Sequence, residues 1–212
     1  MQSFIPPFAV RFFKNTIEGD FIMKKFSLLT LIEISLCAAF AFVLDLLPSI
    51  KLSSAISVSF AMVPIFILAF RWGVKASFVG GLLWGLLQIV LGDAADDILT
   101  PVQGFIEFFI AFSFIGVAGL FRSFIQANIH EGNKGKTIFL VVVATFIGSI
   151  GRYFWHFLAG MIFWGKFAPE GQSPFIYSLI ANGTTMLLSG LLCAIILSII
   201  ITMSPRLVKR FA

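Results

Sequence analysis

The chain has 212 residues, of which 59% are hydrophobic and only 12% charged, about half the charge density of a soluble domain. Its long apolar runs must therefore meet lipid, and at about 20 residues per crossing there is room for roughly six spans and no soluble catalytic domain. A self-contained ATPase, a nucleic-acid-binding domain and a secreted disulfide scaffold are excluded; the formal charge of +5 reads as membrane orientation, and Cys37 and Cys193, set in apolar runs, as small packing residues.

In chain order, Pro6 and Pro7 interrupt the first apolar stretch, which leaves neither a signal-peptide core nor a span before Met23. Met23-Lys24-Lys25 reads as a natural start, so residues 1–23 are expected to be a disordered extension or an over-extended start, and 24–212 a single membrane domain. Six apolar runs follow: Leu28 to Leu47, Ile56 to Phe70, Val74 to Leu91, Val102 to Phe121, Thr137 to Trp164 and Phe175 to Met203. Pro48, Pro101 and Pro174 fall at predicted helix ends, whereas Pro64, inside the short second run, predicts a kink. Ser53, Ser54 and Ser57 before that run suit a cavity or a loop. The expected fold is an all-α integral membrane protein, a bundle of six transmembrane helices.

Sidedness follows from the basic residues. One set of connections carries Lys24, Lys25, Arg71, Lys75, Arg122, Lys134, Lys136, Arg206, Lys209 and Arg210; the alternate set carries Lys51 and Lys166, together with Asp93, Asp96 and Asp97. The excess predicts that both termini are cytoplasmic, in agreement with an even number of spans.

Charge within a span costs about 2.5 to 3.5 kcal/mol on insertion scales, so Glu33, Asp45, Gln88, Glu107, Arg152 and His156 each call for a partner or a job. Threading direction brings most of them to one level. Glu107 comes one or two turns into the fourth run, Arg152 and His156 in the outer half of the fifth, Tyr177 and Asn182 in the first turns of the sixth, and Asp45 and Gln88 near the outer ends of the first and third. Arg152, His156, Gly160 and Trp164 recur every four residues and form one helical stripe. A cation, an imidazole, a bare backbone patch and a large aromatic on one face suit a flat polar ligand. The competing reading is interhelical glue, with Glu107 paired to Arg152 or His156. Glu33, nearer the cytoplasmic end, suits structural pairing or contact with a partner subunit.

Other motifs point nowhere catalytic. Gly135-Lys136-Thr137 lacks the earlier P-loop glycine, His130 standing in its place. Asp93, Asp96 and Asp97 read as a solvated cap rather than a magnesium site, and no His/Cys set has zinc spacing. Nothing implies a cofactor or an enzyme. Gly81 and Gly85 make a small-residue face for packing within the bundle; Ser35 and Ala39 make another that suits packing or contact between chains.

The stretch Arg152-Tyr-Phe-Trp-His156-Phe-Leu-Ala-Gly160-Met-Ile-Phe-Trp164, followed by Ile176-Tyr177-Ser-Leu-Ile-Ala-Asn182-Gly183, resembles the ThiT family. So do Glu107 with Gly116-Val-Ala-Gly119-Leu-Phe-Arg122, and Phe70-Arg71-Trp72-Gly73-Val74-Lys75-Ala76, a likeness that spans residues 24–210. The family comprises thiamine-binding S components of energy-coupling factor (ECF) vitamin transporters. The resemblance implies six helices, an outward-facing substrate site, residence in a prokaryotic plasma membrane, and partners: thiamine, a transmembrane coupling subunit and two ATPases. By position, Glu107 would face the cationic thiamine, His156, Trp164, Tyr177 and Asn182 would line the pocket, and Gly160 would make room. Ser35 and Ala39 fall at the family's contact with the coupling subunit, Ser35 replacing an alanine. The chain departs from some members at Phe108, where they carry tyrosine, and in Leu47 to Ile56, where they carry a loop tryptophan. The alternatives are an S component for another vitamin or a thiamine precursor, a stand-alone proton-coupled permease, and a lipid-diphosphate enzyme acting through the three aspartates.

Overall fold

The computed structural model describes residues 26–47, 49–53 and 55–209. The extension 1–23 and Lys24, Lys25, Pro48, Ser54 and Arg210 lie outside them. Helix α1 (Leu28–Asp45) starts at Ser27, whose hydroxyl oxygen accepts the Thr30 N–H at 3.2 Å, a side-chain cap for an otherwise unpaired helix-start amide. Thr30, Ile34, Ala38 and Ala41 form its buried face. The connection that follows contains a two-residue antiparallel ladder, β1 (Ile50–Lys51) and β2 (Ser57–Val58), with Ile50 opposite Val58.

The second apolar run differs from expectation. Its helix, α2 (Val63–Trp72), has only ten residues, about 15 Å of rise, and Pro64 lies in its first turn. A proline there lacks only an N–H that no helical carbonyl would accept, so the run begins a helix at Pro64 instead of kinking one. The preceding chain is held by side chains: the Ser59 N–H donates to Ser189 Oγ (3.2 Å), Ser59 Oγ to Asp45 Oδ1 (3.3 Å) and the Ala61 N–H to Ser59 Oγ (3.1 Å). Seven of the ten α2 residues are buried, from Val63 to Phe70, and the helix packs against α1, α3 and α4.

Gly73, at φ 86°, is the single residue between α2 and α3 (Val74–Leu91), a backbone conformation that side chains disfavour. After a short 3₁₀ turn at Asp93–Asp97 comes α4 (Pro101–His130), whose geometry changes along its length: α at Pro101–Gly104, π at Phe105–Ile110, α at Ala111–Phe114, 3₁₀ at Ile115–Phe121 and α again at Arg122–His130. It lies very close to α3, since a Cβ on Gly81 or Gly85 would collide with the backbone carbonyl of Phe112 or Phe108. Helices α5 (Lys134–Ile162) and α6 (Pro174–Met203) pack along each other in opposite directions, with Gly160 near Ser178 and Ser149 near Gly190. Pro101 and Pro174 occupy helix starts, as expected.

Among the described residues, five helices, α1, α3, α4, α5 and α6, are long and apolar enough to cross a membrane, and α2 is a shorter apolar helix. Their outward surfaces match that solvent: Leu187, Leu191, Ile195 and Ile199 form an exposed stripe on α6, four residues apart. The chain is therefore a mostly helical, multi-pass membrane protein. At the end of the bundle where α2 stops, Arg71 ties the chain together. Its guanidinium pairs with Glu33 (2.6 Å) and donates to the carbonyls of Arg206, Leu207 and Lys209, while Trp72 Nε1 also donates to Glu33. Glu33 is thus structurally paired.

Candidate functional site

At the opposite end of the bundle, α4 and α6 begin and α5 ends, and their side chains enclose a cavity of about 480 Å³. That is within the range of small-molecule pockets. Its wall includes Glu107 from α4, His156 and Gly160 from α5, Trp164 and Phe167 from the α5–α6 connection, and Tyr177, Ser178 and Asn182 from α6. All six candidate pocket residues named from sequence therefore border one space.

Glu107 lies in the π-helical turn of α4, a widened geometry often found at functional sites. The residue is 8% exposed, and both carboxylate oxygens accept hydrogen bonds: Oε1 from Trp164 Nε1 at 2.9 Å, Oε2 from Gln103 Nε2 at 2.8 Å. Gln103 is fixed in turn, because its Oε1 accepts the Leu99 N–H at 2.9 Å. Both donors to Glu107 are neutral, and the ion pair among the described residues, Arg71–Glu33, is at the other end of the bundle. The pairing of Glu107 with Arg152 or His156 is not present, nor is a continuous Glu107–Arg152–His156 hydrogen-bond chain that could relay protons. A carboxylate buried with hydrogen bonds but no countercharge is incompletely compensated, and a cationic ligand would supply what is missing.

The rest of the wall provides flat contact and directional polar groups. Trp164 does not continue the α5 stripe as the spacing predicts. The helix stops at Ile162, and Trp164 stands in the turn beyond it, where it can reach across to α4. Its ring packs beside Phe167, with centroids 5.5 Å apart. On α6, the Asn182 amide nitrogen donates to the carbonyls of Ser178 (3.1 Å) and His156 (3.4 Å). Carbonyls only accept, so the amide oxygen of Asn182 is left as an acceptor for a ligand. Ser178 Oγ donates to the Phe157 carbonyl at 2.7 Å, which pins α6 to α5. Gly160 allows this approach, for a Cβ there would run into Ser178 Oγ.

A second chamber of about 370 Å³ shares Asp97, Phe108 and His156 with the first and adds Asp45, Gln88, Asp93 and Arg152. Gln88 donates to Asp45. Arg152 sits over aromatic faces, its guanidinium carbon 4.2 Å from the centroid of Phe112 and 4.8 Å from that of Trp84. The acidic turn is exposed, yet Asp97 also borders the main cavity, as do Ala55 and Ala181. Neither Asp97 nor Gln103 announces this role in the sequence. Only the four-residue offset between Gln103 and Glu107, which stacks them on one helix face, hints at it. Ser35 and Ala39 line neither chamber; they are exposed on α1, on the flank of the face that buries Ile34 and Ala38.

Comparison with known proteins identifies the family. Residues 31–209 match the family described as "Thiamine transporter protein (Thia_YuaJ)". The chain is 44% identical over 184 residues to the thiamine transporter ThiT of Bacillus subtilis, covering 86% of this chain and 95% of that protein. It is 35% identical over 181 residues to ThiT of Lacticaseibacillus paracasei, covering 85% and 90% respectively. A solved structure of ThiT from Listeria monocytogenes superposes with a TM-score of 0.82 at 37% identity, over 86% of this chain and 98% of that one. With its helical membrane fold and its polar cavity, the chain belongs to the ThiT thiamine transporter family, a family of transporters and not of enzymes.

Proposed function

We propose that this protein captures thiamine at the outer face of a prokaryotic plasma membrane and is the substrate-binding S component of an ECF-type importer. The observation that carries this reading is the Glu107 carboxylate, buried beside Trp164 without a countercharge. Thiamine combines a permanently cationic thiazolium with an aminopyrimidine. Glu107 offsets the positive charge, and Trp164 offers its ring face to it. Asn182 Oδ1 accepts from the amine, and Tyr177 supplies a hydroxyl that can donate or accept.

Calorimetric titration of the detergent-purified protein with thiamine, its phosphates and its isolated pyrimidine tests the assignment. Thiamine should bind far more tightly than the pyrimidine, and Glu107→Gln should weaken it about 10- to 150-fold, the range for losing a charge-assisted interaction. Unaltered affinity in that variant would remove the basis of the proposal.

The remainder of the reading concerns assembly. The uneven distribution of Lys and Arg supports six crossing segments, α2 included, with cytoplasmic termini and an outward cavity. The five long spans and short connections leave no room for an ATPase domain among the described residues, and in the proposed importer ATP hydrolysis belongs to partner subunits. The exposed Ser35–Ala39 face of α1 provides a smooth surface for a transmembrane coupling subunit. In reconstituted vesicles, thiamine uptake should require both ATP and the partner module; uptake by this chain alone on a proton gradient would indicate a permease instead.

A further inference from the structure

We propose that Arg152 is a positioning residue: it holds His156 as the neutral tautomer protonated on Nδ1, so that the imidazole enters the cavity as a hydrogen-bond donor to an acceptor nitrogen of the ligand's ring. The starting point is the direction of one hydrogen bond. Arg152 Nε lies 3.4 Å from His156 Nε2. A guanidinium has no acceptor and does not lose its proton, so Nε2 is the accepting partner and carries no hydrogen. The proton of the neutral ring is then on Nδ1. No hydrogen bond engages that atom among the described residues, it is not one of their buried unpaired polar atoms, and the ring that carries it borders both chambers.

The surroundings hold this geometry. Arg152 is packed against Phe112, Trp84 and Tyr153, and it shares the second chamber with Asp45. The imidazole is bounded by the same aromatics, 6.1 Å from the Phe112 centroid and 5.7 Å from that of Tyr153. Its backbone carbonyl accepts from Asn182. The tautomer completes the polar pattern of the cavity. Glu107 and Asn182 Oδ1 offer acceptors, while an aminopyrimidine brings ring nitrogens that need donors, and His156 Nδ1–H is one. This last step rests on the thiamine reading; the tautomer itself does not.

The two parts separate experimentally. The chain has two histidines, so nitrogen NMR of ¹⁵N-histidine-labelled, ligand-free protein gives two ring signatures, and His130→Gln identifies that of His156. The expected result is a protonated Nδ1 and a bare Nε2. A protonated Nε2, or a doubly protonated ring, overturns the proposal whatever the protein binds. In Arg152→Met the Nδ1–H preference should be lost, and its retention would also overturn the proposal. For the recognition step, thiamine is compared with analogues in which a pyrimidine ring nitrogen is replaced by CH. The wild type should prefer thiamine over one of them by about three- to tenfold, the worth of a hydrogen bond. That ratio should approach one in Arg152→Met, and an identical ratio in both proteins would remove His156 donation. If Arg152→Met does not fold, the wild-type spectrum still decides. A wild type that does not bind thiamine would refute the functional reading while leaving the tautomer result intact.

Discussion

At the scale of single residues, Trp164 combines two contributions that substitution can separate. Its indole N–H bonds to Glu107, and its ring forms part of the cavity wall. Trp164→Phe keeps a ring and removes the donor, and it should weaken thiamine about three- to tenfold by titration calorimetry. Trp164→Ala also removes the ring, and it should cost a further ~2- to 30-fold for a lost cation–π contact. Equal losses in the two variants would mean that the ring face contributes nothing. Trp164 also marks how far residue spacing could be read. The four-residue recurrence brings Arg152, His156 and Gly160 to one helical face, but α5 ends at Ile162, and periodicity carries no information past a helix terminus. Glu107 stood out because charge within a lipid-facing run is expensive. Its donors did not stand out, since a glutamine and an indole are unremarkable in such a run until a fold brings them together.

At the scale of elements, the site depends on how closely α3 approaches α4. Gly81 and Gly85 let α4 rest directly on α3, and the residues they touch, Phe112 and Phe108, border the second chamber. Gly85→Ala should force the helices apart and destabilise the protein by about 1 to 3 kcal/mol. The measurable outcome is a lower thermal midpoint in detergent, together with weaker ligand binding, because the π-helical turn that carries Glu107 would move. An alanine variant as stable as the wild type would show that α4 does not depend on this contact. The long elements were legible in sequence: Val74–Leu91 is found as expected, and α1, α5 and α6 differ from their predicted runs by only a few residues at either end. The second run, short as expected, starts its helix later than hydropathy predicts, for a physical reason. Hydropathy records that residues 56–62 are apolar, but not that Ser59, Ser189 and Asp45 provide hydrogen bonds to a non-helical backbone there. The changes of helical type along α4 are equally silent in composition; they fall where α4 packs against α3 and α5.

At the scale of the whole molecule, the arrangement of charge predicts which loops face outward. Single cysteines at Lys51 and at Lys134, introduced after Cys37 and Cys193 are replaced, should differ in reactivity toward a membrane-impermeant maleimide on intact cells. The Lys51 position should label and the Lys134 position should not; the reverse pattern would invert the molecule and point the cavity inward. The two ends of the bundle are also built differently. One encloses the chambers, and the other is closed by Arg71, Glu33 and the carbonyls of the C-terminal segment. The short helix α2 lies between them, and its length has a consequence for biogenesis. Ten residues rise only about half the thickness of a hydrocarbon core. The extended stretch before them leaves amides that lipid cannot satisfy, and one of these, on Ser59, finds its partner on α6, 130 residues later in the chain. Such a segment has no favourable route into the bilayer as an autonomous unit. The Ser59–Ser189 hydrogen bond cannot form until α6 has been synthesised, so the setting of this early segment is tied to the last long helix of the bundle.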